Sequence, residues 1–108
     1  MSGARGAALV WCAFPDGDAA ALAAKTLLDE KLIACANILP AIRSLFEWQG
    51  EREEATEAAM LLKTDAALLD RALGRLAEVH PYAEPAIVGW RCDAAHPATA
   101  AWLGALVR

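Results

Sequence analysis

The segment His80–Tyr82, continued by Ala83-Glu84-Pro85, contains the residue types best suited to chemistry in this sequence. Its imidazole can ligate copper or zinc or carry a proton near neutral pH, and a phenol follows two residues later. The prolines at positions 81 and 85 restrict the backbone, so the segment can hold both groups in place. The alternative is structural: His80 ends a helix and hydrogen-bonds its last carbonyls.

The three cysteines are the soft ligands of the chain. Cys12 and Cys35 could bind Cu(I) together, but both lie in apolar runs, where a free cysteine usually behaves as a small hydrophobe. Cys92 follows Arg91, whose positive charge favours a reactive thiolate. No C-x-x-C pair is present, so the pattern indicates neither a disulfide framework nor structural zinc. Reduced thiols in a cytoplasmic protein are the expectation.

A second candidate cluster consists of Trp48, Lys63 and Tyr82, which could line a ligand-binding cleft. Lys63 follows an apolar run, and an inward-pointing lysine needs either a glutamate from another subunit or an anionic ligand. Trp48 is either a ligand platform or an interface anchor. The carboxylates between positions 47 and 57 are interpreted as a solvated strand edge, because no calcium-loop spacing is present.

The remaining composition narrows the function further. A chain of 108 residues with 57% hydrophobic and 22% charged residues is expected to fold as one domain, with residues 1–6 flexible. A net charge of −4 without a basic stripe excludes nucleic acid, and the apolar run Ala7–Phe14 is too short to cross a membrane. No Ser-His-Asp set, glycine-rich phosphate loop or H-E-x-x-H motif is present, so no enzymatic activity is expected.

The elements that must position these residues alternate along the chain. Periodicity and turn residues predict strands over Ala7–Phe14, Ile33–Leu39, 42–48, 54–64 and Ile87–Arg91, and helices over 19–31, 66–79 and 98–106. Asp18 and Asp65 are the expected N-caps, and Gln49-Gly50 the hairpin turn. The order predicts an α+β, ferredoxin-like split β-α-β-β-α-β fold with both helices on one face, an extended central hairpin and a C-terminal helix. The hairpin is expected to build a subunit interface.

Six motifs in this order resemble the CutA family of divalent-cation tolerance proteins, from about Val10 to Leu106. They are Phe14-Pro15-Asp16, Leu32–Asn37, Ser44–Gly50, Leu62-Lys63-Thr64, His80-Pro81-Tyr82 with Pro85 and Ile87, and Trp102-Leu103. The resemblance implies a homotrimer knitted together by its hairpins, a cytoplasmic location, a role in tolerance of copper and other divalent metals, and no catalysis.

The resemblance also implies copper or another divalent cation as a ligand. The family's ligands would be Cys12 and His80, but the first of its two adjacent histidines falls on Val79 here. The alternative function is that of a trimeric sensor similar to the PII signalling proteins. Such a sensor would bind a small anionic metabolite at subunit boundaries through Trp48, Lys63 and Tyr82.

Overall fold

The computed structural model describes residues 6–108, which form one four-stranded antiparallel sheet with three helices. The elements are β1 Ala7–Phe14, α1 Gly17–Asp29, β2 Cys35–Trp48, β3 Glu51–Asp65, α2 Leu69–Val79, β4 Ile87–Arg91 and α3 Pro97–Gly104, with short 3-10 turns at Ala66–Leu68 and Ala105–Val107. The strand order β2-β3-β1-β4 is that of the ferredoxin-like fold. The predicted fold class is therefore confirmed.

The helix starts depend on aspartate caps, one of which differs from the prediction. Asp16, not Asp18, caps α1, because its Oδ1 accepts from the Ala19 N–H at 2.8 Å. Asp18 lies within the first turn, where the helix dipole favours a negative charge. Asp65 caps the 3-10 turn before α2, because its Oδ2 accepts from the Ala67 N–H at 2.8 Å, whereas α2 itself begins after Leu68 without a side-chain cap.

The central hairpin is longer and more continuous than the sequence indicates. The predicted break at Pro40 is a bulge between Leu39 and Ile42 within a single strand of 14 residues. Proline is tolerated there because β2 is an edge strand and the bulge removes the need for its missing N–H. Gln49 and Gly50 both have positive φ, 52° and 82°, as expected for a type I′ hairpin turn.

The two faces of the sheet differ in how they are covered. Alternate residues of β1, among them Val10 and Phe14, are fully buried against α1 and α2. The opposite face, here called the open face, lies away from α1 and α2. It carries the exposed apolar side chains of Trp11, Leu39, Val88 and Trp90. The core is thus one-sided, and the open face remains available for another surface.

The first described residue, Gly6, is hydrogen-bonded to the 3-10 turn that follows β3. The Gly6 carbonyl accepts from the Ala66 N–H at 2.8 Å. The other residues of the segment predicted to be flexible, 1–5, lie outside the described residues. No helix within the described range is long and apolar enough to cross a membrane.

Candidate functional site

His80 lies where the chain leaves α2 and passes beneath the end of β1. The backbone turns extended at His80, with φ −73° and ψ 139°, so the imidazole is directed away from the helix end. Its ring is buried and stacks on Phe14, with 4.2 Å between ring centroids and 22° between planes. Tyr82 follows with its ring centroid 4.9 Å away. The stiff segment thus holds an imidazole and a phenol side by side, as its prolines predict.

Both ring nitrogens of His80 are engaged within the chain. The Tyr82 N–H donates to Nδ1 at 3.0 Å, so Nδ1 is unprotonated. Nε2 therefore carries the proton and donates to the Ala13 carbonyl at 2.8 Å. His80 ends α2 as the structural alternative predicted, since it is the C-cap of that helix, but its ring bonds Ala13 and Tyr82 and not the last helical carbonyls. The extended backbone at His80 is the reason.

Cys12 and His80 come together as the resemblance implied. The Cys12 thiol lies 3.4 Å from the same Ala13 carbonyl oxygen that accepts from His80. The thiol is fully buried, and its burial, with a smaller effect of the Glu57 charge, raises the pKa of Cys12 to about 12. The thiol is therefore protonated at neutral pH, whereas a metal ligand must be a thiolate.

The pair does not fit a metal ion in the arrangement that the structure shows. A ligating His80 would have to give up one of its hydrogen bonds, and Cys12 would have to ionise in an apolar site. Among residues 6–108, no three His, Cys, Asp or Glu side chains are grouped to hold a metal. Copper binding by Cys12 and His80 therefore stays a prediction that requires rearrangement.

The other cysteine arrangement considered for Cu(I) is wrong. Cys12 pairs with Met60 in the sheet and faces the helices. Cys35 pairs with Lys63, at the alternate position of β3, and so lies on the open face. Because successive residues of a strand point to opposite faces, Cys12 and Cys35 are separated by the sheet itself. Cys92 is half-buried just after β4.

A groove of about 740 Å³ lies between the hairpin and the segment that follows α2. This hairpin groove is lined by Ala13, Ser44, Phe46, Glu47, Trp48, Gln49, Glu57, Tyr82, Ala83, Glu84 and Ala86. Three of its residues are aromatic, and it brings together Trp48 and Tyr82, two members of the predicted ligand cluster. Its volume is in the range of small-molecule sites.

Tyr82 fixes one wall of the hairpin groove. Its hydroxyl donates to Glu57 Oε2 at 2.7 Å, which connects the segment after α2 to β3. Partial burial, followed by this bond and the Glu57 charge, raises the pKa of Tyr82 to about 12. The phenol is therefore a neutral hydrogen-bond donor at physiological pH and not a general base.

Lys63, the third member of the predicted cluster, does not line the groove. It lies on the open face, opposite Leu9 on β1 and Cys35 on β2, and is half-buried. Lys63 lies six positions further along β3 than Glu57, which at the rise of a strand is about 20 Å. Lys63 therefore does not join Trp48 and Tyr82 within one chain, and the predicted cluster at a subunit boundary stays a prediction.

Carboxylates set the charge of the hairpin groove. Glu47 pairs across the hairpin with Arg52, whose Nε donates at 3.0 Å. Glu57 and Glu84 form no ion pair in the described part of the chain, and none of the lining residues is Lys or Arg. Sequence reasoning assigned Glu57 to a solvated edge. The available signal was its strand position. Glu57 pairs with Ile42, and the next residue on that face of β2, Ser44, also lines the groove.

Fold and site together define a class. The chain is a ferredoxin-like α+β protein with exposed apolar side chains on one face of its sheet and a ligand-sized groove at a long hairpin. Comparison with known proteins then identifies the family: the model of the CutA1 divalent ion tolerance protein matches residues 8–105, and the chain belongs to that family.

Individual relatives match this chain over most of their own length. The divalent-cation tolerance protein CutA of Pyrococcus horikoshii is 40% identical over 95 residues, which cover 88% of this chain and 92% of that protein. The CutA1 crystal structure from Ehrlichia chaffeensis superposes with a TM-score of 0.89 at 32% identity, covering 96% of this chain and 97% of the other. The CutA structure from Archaeoglobus fulgidus, described as periplasmic, has a TM-score of 0.87 at 30% identity, covering 94% and 99%.

Proposed function

We propose that this chain acts in divalent-cation tolerance as a cytoplasmic homotrimer without catalytic chemistry. Its relatives are named as tolerance proteins and not as enzymes, which supports the role. The cytoplasmic location rests on the three unpaired cysteines. The Archaeoglobus fulgidus relative is described as periplasmic, so the location of this chain is to be tested by cell fractionation.

The observation that favours assembly is the open face of the sheet. Trp11, Val88 and Trp90 are 37%, 57% and 44% exposed on the adjacent strands β1 and β4. Contiguous apolar side chains of this size usually mark a protein interface. Phe46 is exposed on the same face of the hairpin and extends the apolar surface. A partner copy covering this surface would supply the burial that an alanine-rich core lacks.

Light scattering after size-exclusion chromatography tests the assembly. The wild-type chain is expected to have the mass of three protomers at micromolar concentration. Trp90→Glu places a charge in the open face and is expected to shift the mass towards one protomer. Trp102→Glu is the matched control, because Trp102 is a similarly exposed tryptophan, at 50%, but lies on α3 and not on a strand of the sheet. A wild-type monomer or dimer would contradict the proposal, as would equal effects of the two variants.

Copper ligation by Cys12 and His80 is the finer part of the proposal and has its own test. Cu(I) and Cu(II) are titrated into wild type, His80→Ala and the control His96→Ala. His96 is the other histidine and caps α3 through Nδ1 on the exposed surface. Ligation predicts binding at least about tenfold weaker in His80→Ala only. Equal affinities in all three proteins would remove His80 as a ligand.

Ligand sensing is a second candidate function, favoured by the hairpin groove. The groove holds Trp48 and Tyr82 on two different segments, and a ligand between them would connect the hairpin to the end of α2. A thermal-shift screen of metabolites tests this candidate. Stabilisation that Trp48→Leu reduces would support it, and an absence of any saturable stabilisation would count against it.

A further inference from the structure

We propose that the hairpin groove binds a small organic ammonium ion, the opposite charge to the anion that Lys63 suggested. This inference rests on the second candidate function, ligand binding in the groove, and names the class of ligand. Three observations carry it: aromatic walls, carboxylates without a protein cation, and the position of Lys63 far along β3.

The aromatic residues supply faces for a cation. Phe46, Trp48 and Tyr82 all line the groove and are 41%, 47% and 38% exposed, so their rings are accessible in a single chain. The face of an aromatic ring carries negative potential, and Trp attracts cations most strongly. An ammonium ion with an apolar substituent can use the same rings for both charge and burial.

The carboxylates determine the sign of the charge that the groove accepts. Glu47 is compensated by Arg52, but Glu57 and Glu84 have no ion pair among the described residues. Glu57 uses Oε2 to accept from Tyr82, and its second oxygen can accept an ammonium N–H. An anion in this groove would meet uncompensated negative charge without a lysine or arginine in the lining to offset it.

A bare metal ion fits the groove less well than an organic cation does. Hard cations require several oxygen ligands converging at about 2.0–2.6 Å. No three acidic, cysteine or histidine side chains within residues 6–108 are grouped for this. A cavity of about 740 Å³ with aromatic walls instead matches a ligand that has a carbon skeleton.

The test compares three probes of one shape and different charge. Benzylammonium, benzyl alcohol and benzoate are titrated by calorimetry into the full chain at about neutral pH. The expected order of affinity is benzylammonium, then benzyl alcohol, then benzoate. Added salt is expected to weaken only benzylammonium, because screening acts on charge.

Charge-matched variants locate the binding. Glu57→Gln keeps an acceptor for Tyr82, removes one negative charge, and is expected to weaken benzylammonium about tenfold. Glu53→Gln is the control, since Glu53 is exposed on the same strand but does not line the groove. It should change affinity by less than about twofold. Glu84→Gln is a second groove variant on an exposed loop, should Glu57→Gln fail to fold.

Each other outcome overturns the proposal. Benzoate or benzyl alcohol binding as tightly as benzylammonium would refute the charge preference while leaving ligand sensing intact. Equal losses from the groove variants and Glu53→Gln would place binding elsewhere. If the assembled protein binds no probe but a Trp90→Glu monomer does, a neighbouring copy occupies the groove. If neither binds any probe, the ammonium inference fails, and the thermal-shift screen of metabolites decides the ligand-sensing function separately.

Discussion

Gly89→Ala is the substitution for which this structure predicts the clearest cost. Gly89 lies in β4, where α2 packs directly onto the sheet. A Cβ at this position would lie 2.9 Å from Leu69 Cδ1, 3.2 Å from the Leu9 carbonyl oxygen and 3.4 Å from Leu73 Cδ2. The leucine methyls can shift, but the Leu9 carbonyl belongs to the paired strand β1 and cannot move without disturbing the sheet.

The magnitude follows from two opposing effects. Overpacking a close-packed interface costs about 1–3 kcal/mol. Replacing a strand glycine by alanine returns about 0.5–1 kcal/mol, because the unfolded chain loses conformational freedom. The central expectation is a loss of about 1 kcal/mol in the free energy of unfolding, with about 2.5 kcal/mol as the upper bound. For a domain of this size, a loss of about 1 kcal/mol lowers the melting temperature by about 4–8 °C.

Gly74→Ala is the matched control on the opposing element. Gly74 lies inside α2, and an added Cβ would have nothing within 4 Å. Alanine should therefore stabilise the helix by about 1 kcal/mol. Urea unfolding of the three proteins at one protein concentration measures both changes, because assembly makes stability concentration-dependent. A Gly89→Ala midpoint at or above the wild-type value, with Gly74→Ala stabilising as expected, would refute the packing argument.

Three further predictions concern single side chains. The Cys12 thiol, with a pKa of about 12, should resist a thiol reagent at pH 8 in the folded protein and react once urea unfolds it; rapid labelling of native Cys12 would contradict its burial. Tyr82 is the only tyrosine, so phenolate absorbance reports it alone. Because its pKa is raised from 10.0 to about 12, its contribution to stability should be present below pH 10 and lost between pH 10 and 12, and Tyr82→Phe should lack that component. A phenolate midpoint near 10 would contradict the partial burial of the phenol and its contact with Glu57. Thr64→Val removes the 2.7 Å bond from a buried hydroxyl to the Leu32 carbonyl and should cost about 1–2 kcal/mol in urea unfolding; an unchanged midpoint would show that the bond contributes nothing.

Local features account for most of what could be predicted of the fold. The bounds of β1 and β4 agree with their apolar runs, because a strand of five to eight residues between turn signals has few alternative arrangements. Gln49-Gly50 predicted the hairpin turn because a type I′ turn needs positive φ at both central residues, which glycine adopts easily. The cap of α1 was misplaced by two residues, since Asp16 and Asp18 are both compatible with the same helix start.

The site was less predictable, because side chains meet there across long sequence separations. The bonds of His80 to Ala13 and of Tyr82 to Glu57 connect three separate elements. No local pattern reports such contacts. Whether Lys63 lies near Trp48 and Tyr82 depends on its distance along β3 from the groove. Within one chain that distance is too long for Lys63 to line the groove.

The sequence by itself determined the order of strands and helices, the family, and the presence of an imidazole and a phenol on a stiff segment, because these depend on residue type and near neighbours. The tertiary structure decided which groups those side chains meet. Strand register and the extended backbone at His80 set both of its nitrogens in hydrogen bonds and buried Cys12 as a thiol. The same register placed uncompensated Glu57, and not Lys63, beside the aromatic residues, and so set the charge of the groove.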